Sequence, residues 1–147
     1  MFKSPSLFTR IATGKLVGFI IGLMGFLLLP VLAPEADPML RWGILFWYTT
    51  MGAFIGVMGV FTHHPVLRLP MPWWFRAPLL GSWMNFVLVF FAHEQMRGVM
   101  VAMMGPESGL TSPFWFVLEG TLVGLLIGGI ATAVGGEGRA TIDDSVV

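Results

Sequence analysis

FFAHEQMRG, residues 90–98, interrupts a long apolar run with His93, Glu94, Gln95 and Arg97. Apolar sequence enters this stretch from the left, and Val99, Met100, Val101, Ala102, Met103 and Met104 leave it on the right. Two readings compete. Either a helix ends here and turns toward water, or a polar cluster is held inside a membrane. The choice fixes where the third long apolar segment stops and what its polar residues pair with.

Composition sets the frame for that choice. Of 147 residues, 56% are hydrophobic and 11% are charged, and the mean hydropathy is +0.83. A soluble domain carries about 25% charged residues. The charges also avoid four long blocks, which points to an all-α polytopic membrane protein with four transmembrane helices in one bundle domain. The formal net charge is zero, so nothing draws the chain toward nucleic acid. There is no cysteine, which excludes disulfides, thiolate metal sites and cysteine nucleophiles. The basic start, MFKSPSLFTRIATGK, has the flank of a signal peptide. The apolar part after it is too long, and no small-x-small cleavage site precedes a soluble domain, so it is expected to flank a retained first span.

The spans are expected near 16–33, 42–62, 79–97 and 114–136, each within the ~17–25 residues that cross a ~30 Å hydrocarbon core. Pro34, Pro38, Pro65, Pro70, Pro72, Pro78, Pro106 and Pro113 punctuate the connections. Lys3, Arg10, Lys15, Arg68, Arg76 and Arg139 fall on one side of this layout, and Arg41 and Arg97 on the other. Basic flanks stay cytoplasmic, so both termini are expected inside, as in a multi-pass protein of a bacterial inner membrane. The polar tail, 137–147, is expected to be flexible in the cytoplasm. The segment HHPVLRLPMPWWFRAP, 63–78, reads as too proline-rich for a helix. Its Arg68, Trp73, Trp74 and Arg76 suit a headgroup region, touching lipid or, in a sharper reading, an anionic lipid or a partner subunit.

Small residues repeat along the spans. Gly18, Gly22 and Gly25 in the first match Gly52, Gly56 and Gly59 in the second at an offset of 34, with IGLMG at 21–25 against IGVMG at 55–59. At 100° per residue each trio lies within about 60°. The fourth span carries Gly120, Gly124 and Gly128, continued by Ala131 and Gly135. Such faces let helix backbones approach closely in lipid, where packing replaces the hydrophobic drive. At least one of the three is expected to serve a neighbour, either a second copy or another subunit of a larger complex.

For the polar cluster, a third span starting near Leu79 places His93 about 21 Å and Arg97 about 27 Å from the inner boundary. A fourth span starting near Phe114 places Glu119 about 22 Å from it. Asn85 and His93 share a small-and-polar stripe with Gly81, Ser82, Val89, Ala92 and Met96. Ionisable groups at such depth cost at least ~2–3 kcal/mol near a helix centre and therefore seek partners. Glu119 is thus expected to meet His93 or Arg97, and FFAHEQMRG becomes the outer end of the third span. Residues 99–111 are expected to lie along the outer interface as a short helix.

Other chemistry is absent from the sequence. His63 and His64 are adjacent and point about 100° apart, and no carboxylate or third histidine lies nearby, so neither metal nor haem is expected. The methionines read as apolar filling rather than a copper site. No phosphate loop, zinc-protease helix or serine-hydrolase elbow occurs. No enzymatic role and no cofactor are expected. The leading expectation is an accessory or oligomer-forming subunit that packs through glycine faces among membrane lipids. The alternative is a proton- or cation-coupled transporter or channel that uses Glu119 and His93.

Overall fold

A computed structural model describes residues 5–142; Lys3 and residues 143–147 of the tail lie outside the described residues. Within that range the chain is all-α. The helices are α1 (Leu7–Leu32), α2 (Pro38–Met58), α3 (Trp73–Phe91), α4 (His93–Met104) and α5 (Trp115–Gly135), followed by a 3-10 turn, Arg139–Thr141. The described residues form no sheet, only one bridge between His63 and Pro70. Helices α1, α3 and α5 are long and apolar enough to cross a membrane. Helix α2 has 21 residues but falls outside that set, because Arg41, Trp42, Trp47, Tyr48, Thr49 and Thr50 dilute its apolar character.

Local chemistry sets the helix starts. Ser6 caps α1, its hydroxyl accepting from the Thr9 N–H at 3.3 Å. The helix therefore begins nine residues before the expected span and carries Arg10 and Lys15 inside it. Asp37 caps α2 through the Met39 N–H, and Pro38 occupies the first turn, where its missing N–H costs nothing. Helix α3 starts at Trp73 rather than Leu79. Pro78 sits early enough in it that one missing backbone bond is tolerated. Helix α5 lies within one residue of expectation at each end.

The third span ends earlier than expected. The backbone turns at Ala92 (φ −119°, ψ 34°), and His93–Met104 forms a separate helix with Glu94 in its first turn. FFAHEQMRG therefore contains a helix–helix junction, not the outer end of one long helix. Met96, Val99 and Met100 of α4 are buried, while Arg97 and Gly98 are exposed. Val99 packs with Leu29 and Ala33 at the end of α1, with Phe116 of α5 beside them.

The four long helices run up, down, up, down as two tight pairs. In the first, Gly14 lies against Gly52, Gly18 against Tyr48 and Gly22 against Leu45, so α1 and α2 are antiparallel. In the second, Gly81 of α3 lies against Gly120 and Ala77 against Gly124 of α5, again antiparallel. A Cβ on Gly22 would stand 2.7 Å from the Leu45 carbonyl oxygen, and one on Gly56 2.8 Å from the Ile11 Cα. These are backbone-to-backbone contacts that only glycine permits. Between the pairs sit Met51, Ile55, Val123 and Ile127 with Tyr48 and Ala77. The outward faces carry large apolar groups such as Phe46, Phe54, Trp83, Phe90 and Leu122.

Two expectations change here. All nine glycines named from the sequence, Gly18, Gly22, Gly25, Gly52, Gly56, Gly59, Gly120, Gly124 and Gly128, meet a neighbour inside this chain. Within the single chain these faces are taken up by its own helices. The start of the tail is docked rather than free: Gly138 donates to the Gly59 carbonyl at 2.9 Å, Glu137 pairs with Arg76, and Thr141 is buried.

Substitution tests this packing directly. Gly52→Leu should lower stability by about 3 kcal/mol, the upper range for overpacking, because its side chain meets the Gly14 carbonyl. Gly43→Ala, where no atom lies within 4 Å, should leave stability unchanged or raise it by up to about 1 kcal/mol through helix propensity. Unfolding in a mild detergent, followed by circular dichroism, reads both.

Candidate functional site

The buried polar residues of the bundle gather in two places. At the end holding both termini, Arg10 is 1% exposed. Its Nε donates to the Gly56 carbonyl at 3.0 Å, and its Nη1 to the Thr132 hydroxyl at 3.0 Å and to the Gly136 carbonyl. One side chain thus ties α1 to α2, α5 and the turn after α5. Gly59 and Gly135 make room for it, since a Cβ on either would collide with Arg10. The Ser6 N–H donates to the Gly135 carbonyl at 3.0 Å beside it.

Arg76 lies at the same end and is also buried. It donates to the Phe61 and Met71 carbonyls at 2.7 and 2.6 Å and pairs with Glu137 at 3.0 Å. The expected lipid contact of Arg76 is therefore replaced by an internal clamp on the 59–72 connection. Trp73 is half-buried and lies over Gly129, whereas Trp74 and Arg68 are exposed. Arg68 adopts φ 55° at the tip of a tight turn. There the His64 Nδ1 accepts from the Val66 and Leu67 N–H groups.

The second gathering lies deeper between the helix pairs. Tyr48 of α2 donates its hydroxyl to Glu119 Oε2 of α5 at 2.5 Å. Asn85 of α3, fully buried, donates Nδ2 to the same oxygen at 2.8 Å and to the Phe116 carbonyl at 2.8 Å. Trp47 Nε1 donates to Asn85 Oδ1 at 3.0 Å and so fixes the amide orientation. Two helices, α2 and α3, thus contribute one side chain each to a carboxylate on α5 that the core would otherwise leave unpaired.

Of the four residues singled out in sequence, the structure brings Asn85 and Glu119 together and leaves His93 and Arg97 outside. His93 pairs with its neighbour Glu94 at 3.2 Å on an exposed surface, and Arg97 is exposed. The break at Ala92 causes this, because it removes the straight-helix depth that had put His93 level with Glu119. Tyr48 and Asn85 take the expected partner roles, with Trp47 orienting the Asn85 amide.

Glu119 also borders a cavity of about 200 Å³. Its walls are Ile21, Leu28 and Leu29 of α1, Ile44 and Tyr48 of α2, Met96 and Met103 of α4, and Phe116 of α5. Both bonds to the carboxylate end on Oε2, and among the described residues no donor reaches Oε1. No buried side-chain oxygen or nitrogen in the described residues lacks a partner. Oε1 is therefore an accessible atom, on a residue that lines this groove. A second cavity, about 350 Å³, adjoins it across Val99 and carries Glu35, Asp37 and Glu94. Among the described residues no three ligating side chains converge to hold a metal ion.

The network should behave as a coupled unit. Tyr48→Phe removes one charged hydrogen bond and should cost about 1–3 kcal/mol. A double-mutant cycle with Glu119→Gln should return a coupling within about 0.5–3 kcal/mol, whereas His93→Ala paired with Glu119→Gln should be additive within about 0.5 kcal/mol. Equilibrium unfolding of the four proteins in each cycle measures both. Comparison of the chain with known protein families, with curated proteins and with solved structures finds no match.

Proposed function

We propose that this chain is a four-span membrane protein with both termini cytoplasmic, acting as a small proton- or cation-coupled transporter or channel through Glu119. The up-down-up-down order supports the fourth span. Helix α2 runs along the whole of α1 with Trp42, Phe46, Phe54 and Val57 exposed on its outer face, as a lipid-facing side would have. The basic residues cluster toward the end holding the termini, in keeping with a cytoplasmic location.

One observation carries the functional reading. Glu119 lines a groove, with one oxygen held by Tyr48 and Asn85 and the other without a donor among the described residues. A carboxylate serving only as a clamp gains by having both oxygens bonded. An ionisable group with a half-open coordination sphere within a membrane-spanning bundle marks an ion or substrate path. His93, the partner first expected for it, has no part in this reading.

A second reading, a subunit of a larger membrane complex, is favoured by a different surface. Trp83, Phe86, Phe90 and Phe114 form an exposed aromatic row with successive centroids 5.8, 5.0 and 6.0 Å apart. Aromatic rows of this kind suit a protein neighbour as well as lipid. Assembly would then use this row, since the glycine faces are filled.

Reconstitution in liposomes with an imposed pH gradient, read by an entrapped dye, tests the first reading. Wild-type vesicles should dissipate the gradient at least tenfold faster than empty ones. Glu119→Gln should fall to the empty-vesicle rate, and His93→Ala should not. Equal rates for wild-type and Glu119→Gln vesicles would contradict the proposal.

A further inference from the structure

We infer that the groove beside Glu119 binds a small organic ammonium ion, with its charged nitrogen on Glu119 Oε1 and an apolar body against α1 and α4. The inference rests on the reading of Glu119 as a working site and adds the chemical class of its ligand. Three observations carry it. The first is charge: the groove's one carboxylate presents an oxygen with no donor among the described residues, and the adjoining cavity is rimmed by Glu35, Asp37 and Glu94. The basic groups at this end are directed elsewhere. Arg41 donates to the Phe26 carbonyl at 3.0 Å and stacks over the Phe26 ring, and Arg97 does not line either cavity.

The second observation is the wall. Apart from Glu119 and the Tyr48 hydroxyl, every lining side chain is apolar, and Tyr48 and Phe116 supply aromatic rings. Aromatic faces attract organic cations. Met96 and Met103 supply thioethers that adapt to an irregular ligand. An inorganic cation needs several oxygen ligands, and here one carboxylate meets hydrocarbon. An ammonium with a hydrocarbon body matches both halves of the surface.

The third observation is size. A dry apolar cavity of about 150 Å³ takes a benzene ring, and drug-sized ligands need about 300 Å³ or more. At about 200 Å³ the groove fits a single ring or short branched chain with one amine. A phospholipid headgroup exceeds it, although one acyl chain could enter.

Equilibrium dialysis of labelled 2-phenylethylammonium against the protein in nanodiscs, with empty discs as reference, tests the assignment. Wild type should bind one equivalent saturably. Glu119→Gln, which keeps acceptors for Tyr48 and Asn85, should bind at least tenfold more weakly, and Glu119→Asp should retain saturable binding. Met103→Trp, at the half-open rim of the groove, should also bind at least tenfold more weakly. Circular dichroism confirms that each variant is folded. The inference is overturned if folded wild type binds no more than empty discs, if Glu119→Gln binds as tightly as wild type, or if a co-purified lipid chain fills the groove and the amine does not displace it. Binding without proton flux would sink the transport reading and leave this one standing; flux without binding would do the reverse.

Discussion

The bundle depends on one buried cation. Arg10 is enclosed by glycines and donates to two carbonyls and a hydroxyl from α2, α5 and the turn beyond α5. A guanidinium away from water is tolerable only when its donors are used, and its fork geometry uses several at once. In return, carbonyls near two helix ends receive partners that their own helices cannot give them. The two helix pairs are each held by backbone contact along their length, and between the pairs such contact is made where Gly135 of α5 meets Arg10 of α1. Arg10 ties the pairs together at this end, while the shared apolar core and the Tyr48–Glu119 bond cross between them further along.

The opposite end is built differently. There α1 and α5 are separated by side chains of α4 and by the groove, and Leu29, Ala33 and Val99 form a small separate cluster. Helix α4 exists because the chain breaks at Ala92 and cannot carry its polar residues straight on. It turns its apolar stripe, Met96, Val99 and Met100, into the gap and leaves His93, Glu94 and Arg97 outside. Closing one end and wedging the other leaves Glu119 half-satisfied. The Tyr48 and Asn85 bonds hold its position without filling its coordination.

Much of this was legible in the residues. Hydropathy blocks located the long helices, and the small-residue stripes identified the faces that pack, because packing in lipid selects for glycine. Asn85 and Glu119 stood out as polar residues within apolar runs. The missed partners had a signal as well. Arg10 lies four residues before Gly14 and eight before Gly18, Tyr48 four before Gly52, and Asn85 four after Gly81. A polar residue in register with a glycine stripe shares its buried face, so it sits inside the bundle. Counting Arg10 only as a topology signal hid that register, and Arg76 counts in sequence as a topology signal and a headgroup contact. The break at Ala92 had no such marker. Neither glycine nor proline lies there, and tertiary packing of α4 against α1 decides it. The glycine faces were visible, but not whether their partner was the same chain, because periodicity describes a surface and not what covers it.

The account turns on Arg10 as the lock between the helix pairs, and one distance measures that. The chain has no cysteine, so spin labels can be placed at the exposed positions Phe8 on α1 and Val134 on α5. Double electron–electron resonance in lipid should give one narrow distance for this pair, and a broad, longer distribution when Arg10 is replaced by Met. An unchanged narrow peak in the Arg10→Met protein would contradict the account, because this end of the bundle would then be held by something other than this side chain.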